Sequence, residues 1–340
     1  MNIIGGYMSV LYVTENGAVI GVDSNRLTVK YKDGLLKSLP IETIEGITLL
    51  GKNQLTTQCM EVCLAKGIPV SFFSKGGRYY GRLMSTGHVK AELQRKQASL
   101  YDTDFAVELS KRIIIAKIIN QITVLRRYSK SKNINVDSCI FNMQNSKKKI
   151  NEVGTIEEIK GYEGTAARSY FEGLSRCIEI DFKFKGRSKR PPMDEFNSLI
   201  SLGYSVLMND LYSEIENRGL NPYFGLLHRD SEHHPTLASD LIEEWRAVLI
   251  DSLAMSMING HELKKDDFYF DYEDPGCFLT RDCLKKYIEK LEDKLNTKTK
   301  YLSYVEYPVN FRGAISLQIK TLVDAINKED FSLYNPIQIR

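Results

Sequence analysis

The stretch "FAVELSKRIIIAKIINQITVLRRYSK", residues 105–130, decides how the second half of the chain folds. Leu109, Ile113, Ile114, Ile118, Ile122 and Leu125 recur at three- and four-residue intervals, the signature of one broad apolar face on a long helix. Upstream of residue 85 the period is different. "SVLYVTENGAVIGVDSNRLTVKY" (9–31) runs in short β-branched and aromatic pieces broken at Asn16-Gly17 and Ser24-Asn25, both hairpin signals. "EGITLLG", "IPVSFFS" and "RYYGRLM" continue the strands, and "TTQCMEVCLAKG" (56–67) reads as one short helix ended by Gly67. At "STGH" (85–88) strand patterning stops and is not expected to return; helical periods dominate from Glu92 onward. The expected fold is α+β: a small β-rich domain over 1–88 with one short helix, then a larger all-α domain over 89–340. Further helices are expected at 156–180, 194–218, 236–258, 280–296 and 312–327.

A chain of 340 residues has room for about two domains with real cores. Lys plus Arg exceeds Asp plus Glu by only 46 to 43, so any affinity for nucleic acid must come from local clustering. No Lys or Arg precedes Arg26, which argues against a signal peptide, and no apolar run approaches the roughly 20 residues of a membrane span. Cys59, Cys63, Cys139, Cys177, Cys277 and Cys283 form no CxxC pair and read as reduced, mostly core thiols. A cytoplasmic protein without membrane contact is expected.

Three stretches could carry chemistry. In "GYEGTAARSYFEGL" (161–174), Glu163, Ala166, Ala167, Tyr170 and Leu174 share one helix face, so Glu163 is a carboxylate on a small, apolar stripe. It needs a cation, either an Arg or Lys or a metal. In "FKFKGRSKRPPMDEFNSLISLGYSVL" (182–207), a basic run through Gly186 precedes Pro191-Pro192 and a helix starting near Asp194. Lys185, Arg187, Lys189 and Arg190 there could track a phosphodiester backbone or be a plain solvated loop. The third stretch, "LHRDSEHHPTLASDLIEE" (227–244), holds three of the chain's five histidines. His228 leaves an apolar segment, while His233 and His234 lie in a polar loop. Asp240, Glu243 and Glu244 share a helix face and could be a solvated first turn. Imidazole with hard carboxylates suits Mg²⁺ or Mn²⁺ better than a closed zinc site.

"GYEGTAARSYF", "RSKRPPMDEFNSLISLGYSVL", "NPYFGLLH" and "LASDLIEEWR", in this order, resemble the CRISPR-associated integrase, the universal CRISPR-associated protein one. "IEGITLLGKNQLTTQCMEVCLAKGIPVSFFSKGGRYYGRL" and "KIINQ" (117–121) agree with it, and "YVEYPVNFRGAISLQIKTLVDAI" fits more loosely. The resemblance implies Glu163, His228 and Glu243 as ligands of Mg²⁺ or Mn²⁺, with Asp240 as the neighbouring acid supporting them. Arg168 and Tyr170 join the basic loop as expected DNA contacts. Two departures lie outside the ligand positions: "EEWRA" stands where the family has EEFRP, placing Trp245 and Ala247 there, and the loop carries His233-His234.

The reaction implied is metal-assisted transesterification, in which a DNA 3′-hydroxyl attacks a phosphodiester at a repeat boundary of a CRISPR array. With water as attacker, the same site would be an endonuclease. The implied partners are double-stranded DNA, a second copy held through the β domain, and the small CRISPR-associated protein two as a bridge. A casposon-type transposase, a non-catalytic DNA-binding scaffold of the same fold and a small-phosphate-ester hydrolase are the rival readings.

Overall fold

A computed structural model describes residues 9–74, 78–87, 89–189, 191–271, 275–300, 302 and 304–339. The chain divides into two compact units, 1–89 and 90–340. The hinge expected at 85–88 ends on His88, which lies outside the described residues.

The first unit is built from β1 (Ser9–Val13), β2 (Val19–Asp23), β3 (Arg26–Lys30), β4 (Leu36–Pro40), β5 (Ile44–Leu50), β6 (Gln54–Leu55), helix α1 (Thr57–Lys66), β7 (Val70–Phe73) and β8 (Tyr79–Leu83). They form two four-stranded sheets, ordered β1-β5-β7-β8 and β4-β3-β2-β6. Ser24-Asn25 makes the expected β2–β3 hairpin, with Ser24 at a positive φ of 55°. Asn16-Gly17 does not make one. It joins strands of different sheets, and Gly17 and Asn16 instead bond across to Lys52, so the turn serves a crossover. Alternate residues of both sheets, including Val13, Ile20, Leu27, Ile47 and Val70, bury against Cys59 and Cys63 of α1. Thr56 caps that helix and Gly67, at φ 69°, ends it, as only a residue without a Cβ does at no steric cost.

The second unit is mostly helical. It comprises α2 (Ala91–Ser99), α3 (Asp104–Lys132), α4 (Asp137–Ile150), α5 (Ile156–Cys177), α6 (Glu195–Asn217), α7 (Thr236–Ile242), a π-helical turn (Arg246–Asp251), α8 (Ser252–Asn259), α9 (Arg281–Asn296) and α10 (Phe311–Lys328). The stripe of 105–130 is the buried face of α3, as its period requires. Strands do return, contrary to expectation. β9 (Phe268–Asp271) pairs antiparallel with β10 (Gly276–Leu279), and β11 (Lys298–Thr299) with β12 (Val309–Asn310). The helix expected over 236–258 is also interrupted, by the π-helical turn. Among the described residues no helix is long and apolar enough to cross a membrane, and all six cysteines are buried as free thiols.

Candidate metal centre and basic cleft

Helix α5 starts at Thr155, whose hydroxyl accepts from the Glu158 amide. Gly173 on this helix faces Leu125 of α3 so closely that an added Cβ would lie 2.8 Å from the leucine methyl. That approach sets α5 against α3. Ala166, Tyr170 and Leu174 of α5 are wholly buried, and Glu163 stands on the same stripe with 25% of its side chain exposed. The cation it requires is Lys117 of α3, 6% exposed, whose Nζ contacts Glu163 Oε1.

The same ammonium lies 2.5 Å from Glu243 Oε2, so a carboxylate on α5 and one at the C-terminal cap of α7 close on one positive charge. Glu243 is only 5% exposed, and its Oε1 lies 3.3 Å from Arg246 Nη1. Burial pushes this carboxyl up, but Arg246, Lys117 and His228 outweigh it and hold Glu243 at about 2. For Lys117 burial acts downward, and the two carboxylates keep it above the ordinary lysine range. Asp240, Glu243 and Glu244, which could have been a solvated first turn, are all buried.

Asp240 is the anchor of the His228 loop. Its Oδ2 accepts from the Leu226 and Leu227 amides at 2.7 and 3.0 Å. Its Oδ1 takes the His228 amide at 2.9 Å and lies 2.7 Å from His228 Nδ1. A carboxylate already accepting three backbone N–H groups leaves Nδ1 to be the donor, and Nε2 becomes the acceptor nitrogen of the ring. The other two histidines of the stretch are loop residues. His234 Nε2 meets the Ser239 hydroxyl at 2.8 Å, and His233 is exposed at a φ of 60°.

Glu244 fixes the segment from behind. Tyr334 Oη and the Ile337 amide donate to its two carboxylate oxygens, and Asn120 Nδ2 donates to its carbonyl. Trp245, in the position of the family's Phe, is wholly buried, and its indole N–H donates to Gln318 at 2.8 Å. The π-helical turn that follows keeps Arg246 over the Tyr204 ring, 4.8 Å from its centroid. Such turns insert an extra residue and re-aim side chains, often at functional sites. Tyr204 and Tyr170 both donate to the buried Asp251, which burial raises to about 6.

Beside Glu163 opens a cleft of about 820 Å³. Arg168, Lys183, Lys185, Arg187, Lys189 and Arg246 line it, against Glu163 and Glu172. Cations outnumber carboxylates along its walls, which suits an anion; partial desolvation against the cleft wall, then Arg246, lowers the Lys189 pKa. Lys185, Lys189 and Arg168 are exposed there, as the sequence suggested. Arg187 is tied down instead, donating to Asn197 Oδ1 at 2.8 Å and Ser201 Oγ at 3.0 Å and stacking on Tyr204. Arg190 lies outside the described residues. Tyr170, expected at DNA, is corrected: it is 0% exposed, with its hydroxyl spent on Asp251, and cannot meet a strand.

Sequence reasoning missed Lys117 and Arg246. Both had a visible signal. Lys117 is the lone charge in "IIIAKIINQI", and Arg246 stands three residues after Glu243. In donor chemistry, Glu163, Glu243 and His228 fit a hard divalent ion, and the buried Glu243 Oε2 has no partner of hydrogen-bond geometry. Yet among the described residues no three His, Cys, Asp or Glu side chains close around one point. The two carboxylates close around Lys117.

A family model described as "CRISPR associated protein Cas1" matches residues 11–293. The CRISPR-associated endonuclease Cas1 of Mycobacterium tuberculosis is 33% identical over 320 residues, 94% of each chain. Among solved structures, a chain of a Cas6-RT-Cas1–Cas2 complex superposes with a TM-score of 0.84 at 24% identity, covering all of this chain and 37% of that longer one. A casposase bound to its integration product gives 0.83 at 22% identity over 96% of this chain and 93% of the other. With a family model spanning most of its length and a relative 33% identical over 94% of both chains, the chain belongs to the CRISPR-associated Cas1 family.

Proposed function

We propose that this chain is a divalent-metal-dependent DNA endonuclease and integrase. It would join the 3′-hydroxyl of a captured DNA fragment to a phosphodiester at the boundary of a CRISPR repeat. The observation that carries this reading is the convergence of Glu163 and Glu243 on one cation position beside a basic cleft, with His228 close enough to lower the Glu243 pKa. A bound Mg²⁺ or Mn²⁺ would polarise the scissile phosphate. Glu163, Glu243 and His228 Nε2 would hold it. Asp240, with every contact taken by the His228 loop, orients the imidazole and is not itself a ligand.

The protein's own contribution is to position the strand. Arg168, Lys185 and Lys189 neutralise its phosphates along the cleft, and Arg246, backed by Tyr204, supplies fixed positive charge next to Glu243. Replacing Lys185, Lys189 and Arg168 by alanine is expected to weaken binding to all DNA sequences alike and flatten the salt dependence by about 0.9 per lost contact. An unchanged slope with loss for one sequence only would make the loop a reader of bases.

The endonuclease of M. tuberculosis and the integration product held by the casposase support strand-transfer chemistry. The 33% identity to a CRISPR-associated endonuclease over 94% of both chains favours a repeat array over transposon ends as target. The Cas2 subunit of the solved complex is the model for a bridging partner. A homodimer through the first unit is supported by its edge strands β4 and β8, which leave Leu36 and Tyr80 exposed. Leu36→Lys with Tyr80→Lys should give a monomer by light scattering; an unchanged dimer would move the interface elsewhere. The activity itself is read with labelled DNA and a repeat-containing target. A 3′-deoxy end should abolish joining while cleavage persists, and EDTA should abolish both. Joining that survives a 3′-deoxy end would refute the reading.

A further inference from the structure

Lys117 stands where the reading above needs a metal ion. Its Nζ contacts Glu163 Oε1 and lies 2.5 Å from Glu243 Oε2, bridging the two carboxylates from inside the protein. We propose that Lys117 is an exchangeable resident cation: it neutralises Glu163 and Glu243 in the metal-free protein, competes with the divalent ion for them, and turns into the cleft when the ion binds.

Three observations lead there. A carboxylate as buried as Glu243 cannot remain ionised without a compensating cation, so the metal-free site must hold a positive charge of its own. Arg246 meets only Glu243 Oε1, at 3.3 Å, and leaves Oε2 and Glu163 to Lys117. The Lys117–Glu243 contact is close but lacks hydrogen-bond geometry, so the ammonium is held by charge more than by direction. A bond of that kind is readily surrendered to a stronger cation.

An ammonium and a dication cannot share the position between the same two oxygens, because they repel and because the ion needs direct oxygen contact. Once displaced, Nζ has somewhere to go, since Lys117 already lines the basic cleft beside Glu163. Gln121, whose buried Oε1 has no hydrogen-bond partner among the described residues, and Glu172 line the same cleft, and phosphate oxygens of a bound strand would be further acceptors.

This inference rests on the metal reading, and the test separates the two. Mn²⁺ binding is measured by calorimetry at fixed pH, without DNA, for the unaltered protein and for Lys117→Met, which nearly keeps the length of the side chain and removes its charge. Removal of a competitor should tighten Mn²⁺ binding to the variant by about 5–150-fold, the usual span of such couplings. Mn²⁺ should also raise the melting temperature of the variant more than that of the unaltered protein. A variant that folds only when Mn²⁺ is supplied supports the inference equally. Equal or weaker binding by Lys117→Met overturns the exchange while leaving the metal reading intact. Absence of Mn²⁺ binding to both proteins overturns both, and a variant unfolded with and without Mn²⁺ shows that Lys117 does more than stand in for the ion, which overturns the exchange.

Discussion

Glu243→Gln is expected to lower both strand transfer and cleavage by roughly 10²–10³-fold, the scale of losing one fixed charge contact in a transition state. DNA binding should stay nearly unchanged, since the strand contacts proposed for Arg168, Lys185 and Lys189 along the cleft are untouched. Asp240→Asn should be milder in rate, about 10–100-fold, because it acts through His228. It should also cost about 1–3 kcal/mol of stability, because the amide nitrogen that replaces one oxygen cannot accept and leaves either the Leu226 and Leu227 N–H groups or the His228 N–H without an acceptor. The two changes therefore separate by their side effects as well as by rate. Retained turnover in Glu243→Gln with a dead but stable Asp240→Asn would reverse the two roles.

Asp251 should make the fold less stable as pH rises. Burial raises its carboxyl to about 6, so the folded protein keeps this proton over a range where the unfolded chain has lost it. Stability then falls as pH climbs from about 4 to about 6 and levels off above, by as much as about 3 kcal/mol for a shift of roughly two units. Asp251→Asn removes the titrating group while leaving an oxygen that can accept from Tyr170 or Tyr204. In urea titrations across that window, the variant should gain on the unaltered protein as pH rises. Parallel curves would mean that Asp251 stays ionised in the fold and that the two arginines beside Tyr204 outweigh its burial.

What the sequence made legible depends on how far apart the interacting parts lie. The apolar stripe of α3 and the Thr56–Gly67 boundaries of α1 are local patterns, and the structure follows them. Helix α4 escaped because its buried stripe is Cys139, Met143, Ser146 and Ile150, correctly spaced but diluted by a serine and a polar surround. The β9–β10 ribbon escaped because its residues read as a polar, aromatic loop until they pair. The break after Ile242 depends on tertiary context, with Glu244 held by the distant Tyr334 and Ile337. Glu163, His228 and Glu243 entered as candidates through long motifs, and the structure brings Glu163 and Glu243 onto one cation. Lys117 did not enter, because a lysine in an apolar run names no partner, and its partner is 46 positions away. Tyr170 was misread since what buries and binds it lies far along the chain: its hydroxyl donates to Asp251, 81 positions away.

The central claim, that Glu163, His228 and Glu243 form a divalent-metal centre, is tested most directly by anomalous diffraction at the manganese edge from crystals soaked in Mn²⁺. The account predicts one strong peak within coordination distance of a carboxylate oxygen of Glu163, a carboxylate oxygen of Glu243 and His228 Nε2, with Lys117 Nζ moved away from both carboxylates. A saturating soak in which Lys117 still bridges Glu163 and Glu243, with manganese bound elsewhere or nowhere, would contradict it.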